Sequence, residues 1–165
     1  MNKLALALFT LAFVGTASAQ KVAVINSQKA VLDTEEIKKA QSDLETKFKP
    51  RQDKIVALQK DLQTIQAQLQ SGKLNAMGEQ ELNAEGQKKQ RDLQRLQQDL
   101  QDDVNNERTE ILQRSGTRMQ EVVKKLAEEK GLDIVVDTTN TVFYKPAFDL
   151  TAEAVTAYNK AYPVK

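Results

Sequence analysis

The side chains able to do chemistry in this sequence are carboxylates, amines and guanidinium groups, and little else. There are 23 Asp+Glu and 24 Lys+Arg in 165 residues, with no His and no Cys. Without thiolate or imidazole, the usual zinc site is excluded. A Ser-His-Asp or Cys-His nucleophile, an imidazole general base and any disulfide go with it. What remains is acid–base work by paired carboxylates. That chemistry needs a concave frame to hold the pair at fixed separation. Here Asp and Glu are scattered along segments that read as exposed helix faces, so an enzyme is not expected, nor a metal or cofactor. No GxxxxGK[ST] phosphate loop is present. The formal net charge is +1, which argues against bulk nucleic-acid binding.

The charged residues must be positioned by the elements around them, and the first of these is an address. Met1-Asn2-Lys3 is a short positive start, Leu4 to Gly15 is an uncharged apolar run of 12 residues, and Ala17-Ser18-Ala19 supplies small residues. This is the layout of a secretory signal peptide cut between Ala19 and Gln20. Twelve apolar residues are too few to span about 30 Å of hydrocarbon. Cleavage would remove Lys3 and no acid, leaving 23 positive and 23 negative side chains. The expected mature protein is soluble and lies outside the cytoplasm.

Lys21 to Asn26 is apolar on both alternating faces and reads as a short buried strand. Ser27 is placed as cap of a short helical turn carrying Ala30, Val31 and Leu32. Asp33 or Thr34 then opens a long helix. Ile55, Leu58, Leu62, Ile65 and Leu69 follow a 3-4-3-4 spacing, the seam of a coiled coil. Lys73 to Gly78 reads as a loop. A second seam runs from Leu82 through Leu93, Leu96, Leu100, Val104 and Ile111 to Leu126, and Lys130-Gly131 ends it.

Two long helices with a short connection should fold back antiparallel. With the turn near Asn75, Leu69 meets Leu82, Leu58 meets Leu93, and Phe48 lies near Val104. Charge supports the same register. Lys47, Lys49, Arg51, Lys54 and Lys60 fall beside Asp99, Asp102, Asp103, Glu107 and Glu110. At about 1.5 Å per residue, 35 helical residues make an arm roughly 50 Å long. Pro50 removes one backbone hydrogen bond and should kink the first helix. The expected arm is therefore bendable.

Leu132 to Asp137 reads as a second strand, Thr138-Thr139-Asn140 as a turn and Thr141 to Tyr144 as the returning strand of a hairpin. Thr151 is placed as cap of a closing helix, residues 152–162. The fold class is thus α+β: residues 20–33 and 131–165 form a small strand body, and residues 34–130 a helical-hairpin arm. A body of about 45 residues with neither disulfide nor metal is rarely stable alone. Val22, Val24, Ile25, Ile134, Val135 and Val136 would also leave adhesive strand edges. Association between copies answers both problems.

The order now visible is a leader, Lys-Val-Ala-Val-Ile-Asn-Ser-Gln-Lys-Ala-Val, a long helical hairpin, Gly-Leu-Asp-Ile-Val-Val-Asp, a Val-Phe-Tyr segment and a closing Asp-Leu-Thr helix. It resembles the Skp (OmpH) family of periplasmic chaperones over essentially the whole mature chain. The resemblance implies a homotrimer whose strands form an intersubunit β-barrel. Val22 to Ile25, Ile134 to Val136, and Val142, Phe143 and Tyr144 would build it. It implies three arms around a cavity that holds unfolded outer-membrane β-barrel proteins without ATP, with Pro50 in a region of arm bending. Leu58, Leu62, Ile65, Leu69, Leu82 and Leu93 are the candidate client-contact or arm-opening residues, although packing within the hairpin explains most of them more simply. Family members are often clearly basic, whereas this mature chain is neutral. Anionic lipid is a further partner the resemblance raises, at Lys88, Lys89, Arg91 and Arg95 near the arm tip. That cluster reads more simply as a solvated helix face. The competing reading is a helical-hairpin structural or adaptor protein of a cell-envelope assembly. It shares the leader and the arm but would normally add lipoyl-like β modules.

Overall fold

The computed structural model describes residues 20–164, so the leader and Ala19 lie outside the described residues and Gln20 is the first exposed residue within them. The elements, in order, are strand β1 (Val22–Ile25), α1 (Ser27–Leu32), α2 (Glu35–Gln70), α3 (Ala76–Lys130), β2 (Ile134–Asp137) and α4 (Thr151–Ala161). Short 3-10 turns at Thr138–Asn140 and Pro146–Phe148 lie between β2 and α4. The chain is mostly helical with one small two-stranded sheet. No described helix is long and apolar enough to cross a membrane.

β1 and β2 pair in parallel, with Val22 beside Ile134 and Ile25 beside Asp137. The backbone N–H of Lys21 donates to Asp133 Oδ2 at 2.8 Å and fixes this register at its start. Leu150 N–H donates to Val24 O at 2.9 Å, so the other side of β1 is also covered.

The expected hairpin from β2 does not form within the chain. The Asp137 carboxylate accepts hydrogen bonds from Thr139 N–H and Oγ1–H, at 2.8 and 2.7 Å, and winds the chain into a 3-10 turn. A tight two-residue hairpin needs positive φ at its centre. Among the described residues only Gly72 and Gly131 have positive φ, and neither lies here. Thr141 to Tyr144 accordingly joins no strand, and the Phe143 side chain is 80% exposed.

The helix ends are set by side-chain caps. Thr34 caps α2 through Ile37 N–H, which decides between Asp33 and Thr34 as the start of the long helix. Asn26, not Ser27, caps α1, accepting from Lys29 N–H at 2.8 Å. Ser27 instead donates its N–H to Asp137 Oδ2. Asn75 caps α3 by accepting from Gly78 N–H, which draws Gly78 out of the expected loop into the first turn. Asp149, not Thr151, accepts the free N–H at the start of α4. Thr151 Oγ1 is thereby turned toward Asn26 N–H at 2.9 Å, which ties the α1 start to the α4 start. Gly131, at φ 61°, ends α3 in the left-handed conformation suited to glycine. α2 runs as one helix through Pro50.

Ile25, Ala30, Met119, Val122, Ala154 and Tyr158 make the buried core, with Val31, Leu126, Val135 and Val155 packed around it. The last turns of α3 therefore belong to the core while its first forty residues lie beside α2. Deleting a buried Met side chain leaves a cavity and forfeits its transfer free energy, together about 2–5 kcal/mol. Met119→Ala should lower stability by that amount in urea melts at fixed protein concentration. Val56→Ala, at 61% exposure, should stay within about 0.5 kcal/mol.

Candidate functional site

The long helices present the largest surface of the molecule, and polar pairs join them along its length. Lys47 pairs with Glu107 and Arg51 with Asp103. Lys89 pairs with Asp61 at 2.7 Å, nearer the tip. Partner numbers fall along α3 as they rise along α2. The pairs join the basic and acidic stretches that the charge pattern sets side by side. Between them Phe48 is buried, at 3% exposure, with Lys47 Nζ 5.5 Å and the Arg51 guanidinium 5.7 Å from its ring centre. Pro50 thus lies two residues beyond the most deeply buried side chain of α2, and it is itself exposed.

An apolar groove opens next to this point. Ile37, Ala40, Leu44 and Phe48 of α2 and Val104, Ile111 and Leu112 of α3 line a space of about 270 Å³, with Leu32 of α1 at one end. Arg108, Glu45, Gln41 and Gln52 also line it, so both signs of charge and two neutral amides are present. Farther out the apolar residues are spent on packing. Ile65 and Leu93 are buried, and Leu58, Leu62, Leu69 and Leu82 are half-buried. Of the basic tip residues, Lys89 is bound by Asp61 and Glu85, and Arg95 by Asp92. The hydrogen bond to Asp61 outweighs partial desolvation and raises the Lys89 pKa above the ordinary lysine value.

At the root of the arm the structure holds a polar knot that sequence reading missed. Glu36, its side chain 13% exposed, accepts two hydrogen bonds from Arg118 Nη1, at 2.9 and 3.0 Å, and one from Arg114 Nε at 3.2 Å. It also accepts the hydroxyl of Tyr158, which is fully buried. One carboxylate therefore joins α2, α3 and α4. Burial alone would raise its pKa, but the bonds from Tyr158, Arg118 and Arg114 together hold it below the ordinary glutamate value. Behind it the Arg118 guanidinium lies 4.7 Å from the Tyr162 ring centre, and Tyr162 donates to Glu121 at 2.9 Å. The signal was present: Arg114 and Arg118 share one helix face, and the register of the outer pairs, continued inward, sets Glu36 opposite them.

The body residues divide in two. Val24 and Ile25 are buried, and Val135 and Val136 half-buried, inside a single copy. Val22, Ile134, Val142 and Phe143 are exposed, and Tyr144 is half-buried. Among the described residues no cluster of acidic side chains could hold a metal.

A long two-helix arm mounted on a small α/β body, with several charged pairs joining its helices, defines a helical-arm protein. The family model for outer membrane protein (OmpH-like) matches residues 21–158. The chain is 27% identical to the Skp-like protein of Pseudomonas aeruginosa over 158 residues, covering 93% of this chain and 94% of that one. It is 30% identical to the chaperone protein Skp of Escherichia coli over 143 residues, covering 84% and 86%. A crystal structure of a putative outer membrane chaperone (OmpH-like) from Caulobacter crescentus shares the fold, with a TM-score of 0.76 over 94% of both chains at 19% identity. The chain belongs to the Skp/OmpH family.

Exposed ion pairs are worth about 0.2–1 kcal/mol each. A double-mutant cycle on Arg51→Ala and Asp103→Ala should return a coupling in that range that shrinks as salt is raised. Phe48→Ala should cost several-fold more and loosen helicity in the arm, read by circular dichroism and site-resolved hydrogen exchange.

Proposed function

We propose that this protein is a periplasmic, ATP-independent holdase that binds unfolded outer-membrane proteins and prevents their aggregation. Residues 1–19 act as the cleaved leader, residues 20–33 and 131–165 form the oligomerisation body, and residues 34–130 form an antiparallel coiled-coil arm. Three copies associate through a shared β-barrel, and their arms enclose a cavity. The observation that carries the reading is the arm itself, with an open apolar groove, in a chain with relatives named as chaperones.

Two further features support it. Large apolar side chains at Val22, Ile134, Val142 and Phe143 stand exposed beside β2, which pairs only with β1 among the described residues. An uncovered strand edge of this kind invites pairing with another chain. The second feature is the polar, Gln-rich surface of the arm, which offers many weak contacts in place of one tight pocket. Several arms touching one client raise the effective concentration of each next contact. Release then needs no nucleotide, because insertion and folding in the membrane lower the free energy further. Pro50 is the place where the arm bends, and Leu58, Leu62, Ile65, Leu69, Leu82 and Leu93 govern client contact through arm opening. Lys88 and Arg91 are the tip cations left to meet anionic lipid. No reaction step is required of any residue.

The test has two readouts on the processed chain. Its mass in solution should be that of a trimer, and it should keep a urea-diluted outer-membrane barrel protein soluble without ATP. Phe143→Asp should shift the mass toward the monomer. An oligomer that leaves aggregation unchanged would favour the envelope adaptor, and a well-folded monomer at micromolar concentration would overturn the barrel and cavity together. Shortening the arm tip should weaken holding while the number of subunits in the oligomer stays the same.

A further inference from the structure

We infer that Glu36 is an acid-released latch that fixes α2 to the body, and that neutralising it frees the arm to swing at its root. The inference goes beyond the chaperone reading and needs no client. Three observations carry it. First, the attachment is uneven. α3 runs straight into the core through Met119 and Val122, whereas α2 reaches α4 through the Glu36–Tyr158 hydrogen bond and the Glu35 N–H bond to Asn159. Second, the groove that begins at Ile37 leaves α2 and α3 loosely packed just beyond Glu36, so α2 has room to move.

Third, Tyr158 has a second partner within reach. Ser115 is fully buried, and its hydroxyl makes no hydrogen bond among the described residues. It stands close enough to Tyr158 to act on the titration of that hydroxyl. A buried polar group left without a partner is costly, so the latch adds a second arrangement to the one observed. With Glu36 charged, Tyr158 donates to the carboxylate. With Glu36 neutral, Tyr158 turns to Ser115 and the tie between α2 and α4 is lost. Such a pair of alternative bonds makes a two-state element that a local charge can bias.

The charged and titratable groups that act on Glu36 are Arg114 and Arg118 from α3 and Tyr158 from α4. Tyr162 and its partner Glu121 lie behind them. The sign follows from the lowered Glu36 pKa. The latch holds at and above the ordinary glutamate range, about pH 4.3, and is lost as pH falls through the lower folded value.

The chain has no cysteine, so two introduced ones take spin labels uniquely. Gln66→Cys on the outer arm and Thr156→Cys on α4 are both exposed positions. Labelled chain diluted into unlabelled chain reports the distance between them within one copy. The wild type should give one sharp distance at pH 7 that broadens on acidification to about pH 3. Glu36→Gln should be broad already at pH 7 and show little further change. Ser115→Ala should match the wild type at pH 7 and broaden less in acid. If Glu36→Gln fails to fold, Arg114→Gln is read in its place and should broaden partly at pH 7. A distance that stays sharp in Glu36→Gln, or acid broadening that this substitution leaves intact, would overturn the latch. A Glu36→Gln protein that melts earlier with an unchanged distance would reduce the knot to a structural contact. Because no client is present, failure of the holding assay leaves this result standing, and the reverse also holds.

Discussion

The structure depends on the pairing of two strands that lie more than a hundred residues apart. β1 and β2 are parallel, and parallel neighbours cannot be joined by a tight turn. They need a crossover, and here the crossover is the arm. The extravagance costs less than it suggests, because closure entropy grows only with the logarithm of loop length. Stretching a dozen residues to about a hundred adds about 2 kcal/mol in a flexible chain, and α2 and α3 are far from flexible. The pairing is locked by short-range bonds at its margins: Lys21 to Asp133, Ser27 to Asp137 and Asn26 to Thr151. Each joins a residue before the arm to one after it.

Given that closure, the arm must leave the body at a defined angle, and core packing fixes α3 but not the root of α2. The core holds α1, α3 and α4 through Ala30, Met119, Val122, Ala154 and Tyr158. α2 contributes no side chain to that cluster. Its root is held by its buried cap, Thr34, and by the four hydrogen bonds that converge on Glu36. A carboxylate bound by two guanidinium groups and a phenol is strongly directional. It sets orientation where an apolar contact would allow sliding.

What the sequence revealed and what it hid divide along the range of the interaction. The arm was legible because a seam repeats, and repetition survives any single ambiguous residue. The charge register was legible for the same reason, and it leads to Lys47 with Glu107 and Arg51 with Asp103. The start of α2 is a local matter, and the sequence narrows it to Asp33 or Thr34, of which Thr34 is the cap. The caps of α1 and α4 were displaced by one and two residues, because Ser27 N–H and Thr151 Oγ1 are drawn to distant partners, Asp137 and Asn26. The hairpin after β2 was misread for a related reason. Alternating apolar residues at 141–144 satisfy a strand pattern, but the turn before them lacks a residue at positive φ, and Asp137 captures Thr139 instead. Glu36 was hidden because its partners lie on two other helices, and only a register carried through the whole arm brings them together.

The same division bears on how the proposed holding would work. Within its 36 residues α2 buries only Phe48 and Ile65, so little apolar area fixes the arm's shape. Long helices sustain themselves in part through their own backbone bonds, and a sparse seam lets them bend without losing much packing. A holding surface has to adapt to clients of unlike sequence, and that requires the low energy density found here. Geometry then decides where control can sit. The arm spans roughly 50 Å, so a tilt of about 5° at its root carries the tip about 4 Å. Each exposed pair along the arm touches one turn of helix, whereas a change at the Glu36 knot would act on everything beyond it. In a lever of this length, the few bonds nearest the fulcrum would govern the volume enclosed by the proposed cavity at the far end.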